Sequence, residues 1–247
     1  MNEPLVTVVI PSLNQAEYLP VAIESVLSQP IATEVFVMDG GSTDESVAII
    51  QSYESHLAGW VSEPDDGQAA AINKGIGLGT APFVTWLNSD DTLEKHGLVN
   101  LHECLSAAPA APAAYGRAIH INSNGRKVGI YRTFAFSERL LANYCFICQP
   151  ATLIRRSCWA DLGGLDESLQ LALDYDFWWR LYKKFGPLAY DQRVCAANRQ
   201  HAETKTQNNA SSHYEESMRV VKKYYGSVPL KWHLLKPLMP LVRYLGF

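Results

Sequence analysis

The regular alternation of strands and helices between residues 6 and 91 is the feature that most constrains the fold. Val6–Ile10 is a continuous run of mostly β-branched side chains, typical of a strand buried on both faces, and Leu19–Leu27 carries apolar side chains at helical spacing. Further strands are predicted at Glu34–Met38, Trp60–Val61 and Phe83–Leu87, and further helices from Ser42 to Tyr53, capped by Ser42–Glu45, and from Gln68 to Ile76. This order predicts an α/β fold with a mostly parallel central sheet and flanking helices.

The second half of the chain has a less regular pattern and predicts a smaller lobe. An Ala/Pro-rich segment, Ala107–Pro112, marks the boundary, so we divide the chain into residues 1–110, residues 111–226 and a tail of residues 227–247. A helix is predicted at Leu93–Ala107, just before this boundary. After the boundary, the predicted strands are Ala113–Tyr115, Ala118–Ile121, Val128–Tyr131 and Pro187–Ala196, and the predicted helices are Ser137–Asn143, Arg156–Leu162, Tyr175–Phe185 and His213–Tyr225.

The composition excludes several classes of protein. With 21 basic and 25 acidic residues the formal charge is −4, which is unsuited to coating a nucleic acid. No basic leader precedes the first strand and no apolar stretch is long enough to cross a membrane, so we expect a cytoplasmic protein. Cys145 and Cys148 have Cys-x-x-Cys spacing without a second pair, and we interpret them as buried thiols rather than zinc ligands.

Polar clusters follow the predicted strands of the first half at their carboxyl ends. The clusters are Pro11–Asn14, Asp39–Asp44, Glu63–Gly67 and Asn88–Asp91. In a parallel sheet these ends lie along one edge, which is where α/β proteins bind their ligands. The sequence therefore predicts a ligand site built from four loops.

The Asn88–Asp91 turn contains two adjacent carboxylates, Asp90 and Asp91. Adjacent carboxylates repel each other unless a cation or hydrogen-bond donors offset their charge. Oxygen ligands of this kind suit Mg²⁺ or Mn²⁺, which would connect a carboxylate to diphosphate oxygens. The alternative is that Asp90 or Asp91 caps the next helix; the three neighbouring polar loops favour the cation.

Asp39 is a lone acceptor at the end of its predicted strand. It suits either the imide N–H of uracil or a ribose hydroxyl, and it equally suits a turn before Gly40-Gly41, so both interpretations stay open. Neither the dinucleotide-binding glycine fingerprint nor the phosphate-binding Gly-x-x-x-x-Gly-Lys-Ser/Thr loop is present in the chain.

Seven stretches, in order along the chain, together resemble glycosyltransferase family 2, which comprises inverting enzymes of GT-A fold. They are Val6–Asn14, Val37–Asp44, Ser62–Gly67 with Asn73–Gly75, Trp86–Asp91, Gln149–Thr152, Gly163–Asp166 and Leu173–Arg180. The similarity extends from about residue 5 to about residue 205. It implies that residues 1–110 bind a nucleotide sugar, and that residues 111–226 bind the acceptor and supply a catalytic base.

The resemblance implies a set of donor-side residues. Pro11, Ser12 and Asn14 would lie at the base and ribose, Asp39 would recognise the base, and Asp65 and Asn73 would complete the pocket. Asn88-Ser89-Asp90 occupies the place of the family's Asp-X-Asp motif, with Asn88 at the ribose and Asp90 on Mn²⁺ or Mg²⁺. Because Asn88 replaces the first Asp, Asp91 remains an alternative metal ligand. His201 would reach the metal or diphosphate, or would simply be a surface histidine.

The resemblance also implies an acceptor side. Asp174 matches the family's catalytic base, and Asp176 is next in line. Beside the resemblance, Trp178 and Trp179 suit the protein core, and the alternative is that one of them, Trp178, faces the acceptor. A carboxylate within hydrogen-bond reach of an acceptor hydroxyl can remove its proton during attack on the anomeric carbon. The alternative for Asp174 is capping of the helix that follows, and the two roles are compatible because a helix N-terminus stabilises a carboxylate.

The tail, residues 228–247, mixes basic and apolar residues and has no acidic residue. Such a segment could contact an anionic membrane surface, pack across the domain or meet a second copy of the chain. Taken together, the sequence predicts an inverting, metal-dependent transferase. It would use a nucleoside diphosphate sugar, with UDP favoured, and a saccharide or lipid-linked saccharide acceptor in cell-surface polysaccharide or lipopolysaccharide synthesis.

Two other functions are weighed against this one. A sugar-phosphate nucleotidyltransferase should have a Gly-rich loop with an Arg after the first strand, which Pro11–Asn14 does not supply. A non-catalytic nucleotide-sugar-binding module would not need the acidic residues at positions 90, 91, 174 and 176.

Overall fold

The computed structural model describes residues 3–201 and 208–239, and in this part the strands form one sheet. The order is β3-β2-β1-β4-β8-β6-β9-β5, with β7 also paired to β6. The strands are β1 Val6–Ser12, β2 Thr33–Asp39, β3 Gly59–Ser62, β4 Phe83–Trp86, β5 Thr92–Leu93, β6 Ala113–Ile121, β7 Lys127–Ile130, β8 Thr152–Arg155 and β9 Ala189–Arg199. Strands β1 to β4, β6 and β9 run in the same direction, so the predicted mostly parallel sheet is confirmed.

Helices cover both faces of the sheet, as the alternation predicts. They are α1 Leu19–Leu27, α2 Ser46–Ser52, α3 Gln68–Leu78, α4 Gly97–Ala107, α5 Glu138–Asn143, α6 Arg156–Leu162, α7 Leu173–Phe185, α8 Ala210–Tyr225 and α9 Leu230–Leu235. Three 3-10 turns lie at Glu54–His56, Gln149–Ala151 and Lys236–Leu238. Among the residues that the structure describes, no helix has both the length and the apolar character that crossing a bilayer requires.

Several predicted boundaries need correction. Ser42–Glu45 does not begin a helix, because α2 starts at Ser46 and the preceding residues form a loop bonded to the end of β1. The helix predicted from Leu93 begins at Gly97, since Thr92 and Leu93 pair with β9 instead. The strands predicted at Ala113–Tyr115 and Ala118–Ile121 are one strand, β6.

The core lies on the two faces of this sheet. Side chains of β1 alternate between them: Val6, Val8 and Ile10 belong to one cluster and Val9 to the other. This period of two follows from the pleat of a strand, and it explains why the run is apolar at nearly every position. On the Val9 face, the ring of Trp86 stacks on Trp178 at 6.0 Å, which attaches α7 to the middle of the sheet.

The sheet also crosses the predicted boundary near residue 110. Strand β8, from the second half, pairs with β4 from the first half, and β5 pairs with β9. The two halves therefore share one sheet, and their separate functional roles stay a prediction.

Candidate active site

The polar loops that follow β1, β2, β3 and β4 lie along one edge of the sheet and bond to one another. The backbone N–H of Asn14 donates to Ser42 Oγ at 2.8 Å, and the backbone N–H of Thr43 donates to Asn14 Oδ1 at 2.8 Å. Gln68 Nε2 donates to Asn88 Oδ1 at 2.8 Å, which joins the start of α3 to the loop after β4. These bonds explain the local sequence, because each loop supplies short polar side chains that satisfy the backbone of its neighbour.

A cavity of about 390 Å³ opens between these loops, a size that suits a small-molecule ligand. Its lining comes from the strand ends and from two segments of the second half. The lining residues are Pro11, Ser12, Leu13, Gln15, Asp65, Gly67, Gln68, Ala71, Asn88, Ser89, Asp90, Asp91, Gln170, Leu171, Asn198 and Arg199. The predicted donor residues Pro11, Ser12, Asp65, Asn88, Ser89 and Asp90 are thus brought together.

The hydroxyl of Ser12 is a buried polar atom on this lining. Its Oγ has no hydrogen-bond partner within the described part of the chain. Buried polar groups in proteins almost always have a partner, so an orphaned hydroxyl facing a cavity is suited to a ligand.

Asp39 lies beside the main cavity, on a smaller one of about 170 Å³ that meets it at Asp65 and Ala71. The Asp39 carboxylate accepts bonds from the backbone N–H groups of Gly41 and Ser42 and from the hydroxyls of Ser42 and Ser62. It therefore organises its own turn, which was one of the two interpretations, while still bordering a space that a ligand group could enter.

Asp90 and Asp91 have different environments. Asp91 is 1% exposed, and its carboxylate accepts bonds from the backbone N–H of Arg199 at 2.8 Å and from Asn198 Nδ2 at 3.1 Å. Burial raises the pKa of Asp91 well above its usual value, and the charge of Asp90 adds to this shift. The Asp90 side chain is 22% exposed, and its Oδ2 lies 3.0 Å from His201 Nε2. Of the two carboxylates, Asp90 is thus the one directed at His201 and open to solvent.

Arg199 is a cation on the lining, but its guanidinium is already bonded. It donates to the backbone oxygens of Asp90, Asn122 and Ser123, and it lies over the ring of Tyr18 at 4.8 Å. Its role is to fix the loop after β4 against β9.

Two further predicted donor residues line neither cavity. Asn14 is exposed, with a φ of 53°, and its side-chain oxygen bonds to Thr43. Asn73 forms bonds in both directions with the backbone of Leu165, at 2.8 and 3.0 Å, and donates to Glu167. Both are corrections: their amides are used to join segments, and Asn73 connects α3 to the loop before α7.

Asp174 lies in the first turn of α7, three residues beyond the lining residue Leu171, and does not itself line the cavity. Burial raises its pKa to about 6, against the opposing effect of the Tyr175 backbone N–H bonded to it at 2.7 Å. Burial, followed by the charges of Asp91 and Asp174, raises the pKa of the Cys148 thiol. The carboxylates of Asp91 and Asp174 therefore both act on the buried Cys148 thiol.

The expectation that Asp176 and Trp178 face an acceptor needs correction, because both are fully buried. Asp176 bonds Arg180 at 2.6 Å and the hydroxyl of Tyr224 at 2.8 Å, so its charge is paired inside the α7–α8 contact. Trp178 stacks on Trp86 beneath the sheet. The two positions are about 200° apart around the helix, so α7 is buried on both sides: Asp176 faces α8 and Trp178 faces the sheet.

Comparisons with known proteins agree with this geometry. Residues 7–162, more than half of the chain, match the family described as Glycosyl transferase family 2. The chain belongs to this family. The family predicted from the seven motifs is confirmed.

Among curated proteins, this glycosyltransferase is 25% identical over 241 residues to the chondroitin synthase of Escherichia coli. That match covers 96% of the chain and 35% of the synthase, so the chain spans about a third of that relative's length. It is 29% identical over 182 residues to a PGL/p-HBAD biosynthesis glycosyltransferase of Mycobacterium bovis, covering 72% of the chain and 69% of that protein.

Solved structures show the same fold at low sequence identity. S. aureus TarS residues 1–349 in complex with UDP-GlcNAc aligns with a TM-score of 0.71 at 18% identity, covering 97% of this chain and 70% of that one. The mannosyltransferase PcManGT from Pyrobaculum calidifontis, in complex with GDP-Man and Mn²⁺, aligns with a TM-score of 0.63 at 18% identity, covering 99% and 70%. The predicted GT-A fold is confirmed.

The fit of a divalent metal ion can be tested against the residues of this chain. The residues with described positions hold no group of three or more His, Cys, Asp or Glu side chains arranged to bind an ion by themselves. Asp90 and His201 supply two groups 3.0 Å apart, the spacing of adjacent ligands around an octahedral ion with bonds of about 2.1 Å. They fit a site that a donor's phosphate oxygens and water would complete.

Sequence reasoning missed several residues that line the cavity, among them Gln68, Gln170, Leu171 and Asn198. Asn198 lies near the end of β9, which runs parallel to β6, so the rule about strand ends would have found it. Gln170 and Leu171 belong to a loop whose position depends on a distant side chain. The carboxylate of Glu216 accepts bonds from the backbone N–H groups of residues 170, 171 and 172.

Proposed function

We propose that this chain is an inverting glycosyltransferase that moves a sugar from a UDP-sugar to a saccharide acceptor. The observation that carries the proposal is the charge of the cavity. Asp65 and Asp90 line it with carboxylates that are open to solvent, while the lining cation Arg199 is bonded to backbone oxygens. A diphosphate would be repelled from such a cavity unless a cation entered with it.

Asp90 and His201 are the residues proposed to hold this cation, with Mn²⁺ or Mg²⁺ as the ion. A divalent ion bound there would offset the charge that develops on the departing nucleoside diphosphate. Asp91 keeps the loop in place through its bonds to the Arg199 backbone and Asn198. This division of roles between the two carboxylates follows from their partners, because Asp91 is buried and bonded to Arg199 and Asn198, whereas the Asp90 side chain is 22% exposed and lies beside His201.

The nucleoside is proposed to lie across the ends of β1 and β2. There the unpartnered Ser12 hydroxyl would bond the ribose or base, Asp65 would line the junction of the two cavities, and Asp39 would face the base edge from the smaller one. Uridine is the proposed nucleoside, because the structurally similar TarS was solved with UDP-GlcNAc. Because PcManGT was solved in complex with GDP-Man, the experiment must also distinguish uridine from guanosine.

Asp174 is the proposed general base. The acceptor oxygen attacks the anomeric carbon as its proton passes to the Asp174 carboxylate, while the bond from that carbon to the diphosphate oxygen breaks on the opposite face. Attack opposite the leaving group inverts the anomeric configuration. A pKa of about 6 suits this task, since such a carboxylate is ionised near neutral pH and still basic enough to accept the proton.

The proposed setting is assembly of a cell-surface polysaccharide or lipopolysaccharide, at the inner face of a membrane. In support, the similar proteins are named as a chondroitin synthase and as a glycosyltransferase of PGL/p-HBAD biosynthesis. A polysaccharide or lipopolysaccharide acceptor presents a sugar hydroxyl, which is what Asp174 would deprotonate.

A thermal-shift panel tests the donor. The melting temperature of the full chain is measured with UDP-, GDP-, dTDP- and CDP-sugars, each with and without Mn²⁺. A ligand that binds only the folded state raises the melting temperature, so a UDP-sugar with Mn²⁺ should give the largest increase. Equal responses to all four nucleotides would count against uridine, and no response to any of them would overturn the donor assignment.

Turnover tests the base. UDP release is measured against a panel of saccharide and lipid-linked saccharide acceptors for the wild type and for Asp174→Asn. The variant should lose roughly 10²- to 10⁴-fold in kcat with donor affinity unchanged. Asp161→Asn, an exposed aspartate on α6, is the matched control and should retain full activity. Full transfer by Asp174→Asn with donor bound would remove Asp174 from the mechanism.

A further inference from the structure

Positive charge is concentrated in two stretches of a chain that is acidic as a whole. Residues 122–150 contain four Lys or Arg and one acidic residue, and residues 217–239 contain five Lys or Arg and no acidic residue, whereas the formal charge of the chain is −4. Neither stretch supplies a residue to the main cavity. Arg219, Lys223 and Lys236 pair with Glu216, Asp176 and Glu215, whereas Arg132, Arg139 and Lys231 form no ion pair with a described residue.

The fold brings the two stretches into contact through α5 and α9. Trp232 is buried, and its Nε1 donates to the backbone oxygen of Ala142 at 2.8 Å. Lys231 Nζ donates to the backbone oxygen of Asn143 at 3.3 Å and lies 6.0 Å from the centre of the Tyr144 ring. Helix α9 is thus held against the carboxyl end of α5.

Large apolar side chains on these helices are exposed instead of packed. Leu230 is 71% exposed and Leu234 is 65% exposed; one helical turn separates them, so both project from the same side of α9. On α5 and at its end, Leu140 and Tyr144 are also exposed. We call the surface formed by Arg132, Arg139, Leu140, Tyr144, Leu230, Lys231 and Leu234 the α5–α9 face.

We propose that the α5–α9 face docks on the surface of an anionic lipid bilayer. Its leucines and tyrosine would enter the headgroup region, while Arg132, Arg139 and Lys231 would meet the lipid phosphates. Anionic lipid is the proposed partner because of charge complementarity: it attracts a cationic apolar face and repels the rest of an acidic protein.

Docking would also orient the proposed active site. The hydroxyl of Tyr175, the residue after Asp174, donates to the backbone oxygen of Leu141 on the inner side of α5. The exposed side of α5 would then meet lipid while its inner side adjoins the base. This step rests on the proposed function: it implies that the acceptor is anchored in the bilayer and that its sugar reaches Asp174 from the membrane side.

Vesicle sedimentation tests the docking without reference to catalysis. The full chain is mixed with phosphatidylcholine vesicles that either lack or contain phosphatidylglycerol at about one third of the lipid. Binding should require the anionic lipid and should weaken as NaCl is raised, because salt screens the attraction. Arg139→Gln with Lys231→Gln should weaken binding about fivefold per cation removed, and Leu230→Ser with Leu234→Ser by about tenfold or more.

Matched controls keep the test specific. Val21→Ser with Leu78→Ser removes exposed apolar side chains from α1 and α3, and Lys95→Gln with Lys184→Gln removes exposed cations elsewhere. These variants, and Asp174→Asn, should bind vesicles as the wild type does. The proposal would be overturned if the wild type bound vesicles equally with and without phosphatidylglycerol, or if the control variants lost as much binding as the variants of the α5–α9 face. If sedimentation velocity shows a wild-type dimer that becomes monomeric on Leu230→Ser with Leu234→Ser, the face binds a second copy of the chain instead.

Discussion

Oε2 of Glu216 lies 2.6 Å from the backbone nitrogen of Ala172, the residue immediately before α7. The same carboxylate accepts the backbone N–H groups of Leu171 at 2.7 Å and Gln170 at 3.3 Å. Gln170 and Leu171 line the cavity, and Asp174 follows two residues after Ala172. A side chain from α8 thus sets both the cavity wall and the start of the helix that carries the proposed base.

Glu216→Ala should therefore impair binding and turnover together. It leaves three backbone N–H groups without their charged acceptor, and a hydrogen bond to a charged group contributes about 1.5–3 kcal/mol. We expect a lower melting temperature, a higher KM for the donor and a lower kcat. Glu216→Gln keeps one acceptor oxygen and should recover part of each loss.

The neighbouring Glu215 offers a control for Glu216. It is exposed and pairs with Lys236 at 3.0 Å, so Glu215→Ala should leave KM and kcat unchanged. If Glu216→Ala lowers only the melting temperature, with KM and kcat of the wild type, its carboxylate has a structural role alone.

The rate of transfer should depend on pH through Asp174. Burial raises its pKa to about 6, and only the ionised carboxylate can accept a proton. We expect kcat to rise about tenfold per pH unit below about 6 and to level off above it. Burial also raises the pKa values of the nearby Cys145 and Cys148 thiols, so they remain neutral in this range. A kcat profile from pH 5 to 8 checks this, and a wild type without the acid limb would exclude Asp174 as base.

The same shift predicts that Asp174 lowers stability at neutral pH. Its pKa rises from 3.8 to about 6 on folding, so between these values the folded state holds a proton that the unfolded state has lost. The free energy of unfolding then falls as pH rises from about 4 to about 6 and stays lower above this range. Asp174→Asn should melt above the wild type at pH 7.5, with the difference gone near pH 3.5. A variant less stable than the wild type at pH 7.5 would contradict this.

The parts of the fold that follow from local pattern could be predicted from the sequence. Leu19–Leu27 has the predicted bounds because Pro20 in its first turn and its apolar spacing fix it locally. The four loops at one edge follow from strand direction alone, once parallel pairing is assumed. Ser12, Asp65, Asn88 and Asp90 were found in this way.

The parts that depend on long-range pairing could not be predicted. Strand β8 has only four residues and is stabilised by pairing with β4 on one side and β6 on the other. Asn73 was assigned to the donor because its motif resembles the family's, yet its amide bonds to Leu165 far along the chain. The burial of Asp176 depends on α8, and no pattern within α7 reveals it.

Asp176→Asn should lower stability without removing the catalytic base, because Asp176 has a structural role and lies two residues from the proposed base Asp174. Asp176 is fully buried and pairs with Arg180 at 2.6 Å and with Lys223 at 3.4 Å. Removing one partner of a buried ion pair costs about 3–5 kcal/mol, because the other charge is left uncompensated. We expect a large fall in melting temperature, with the acid limb of the kcat profile intact in the folded fraction. Loss of that limb would give Asp176 the role assigned to Asp174.

Substitutions at Asp90 and Asp91 should distinguish the metal ligand from the structural carboxylate. Asp90→Asn changes a partly exposed group beside His201, so the melting temperature without ligand should stay close to that of the wild type while the added effect of Mn²⁺ on UDP binding disappears. Asp91→Asn changes the acceptor for the Arg199 backbone and Asn198 and removes a carboxyl whose pKa burial raises, so it should shift the ligand-free melting temperature and keep the Mn²⁺ effect. Thermal shifts with UDP, with and without Mn²⁺, measure both quantities on the same samples. A carboxylate that only stabilises the loop should not change the effect of Mn²⁺. If Asp91→Asn abolishes that effect and leaves the ligand-free melting temperature unchanged, Asp91 is the metal ligand and Asp90 the structural carboxylate.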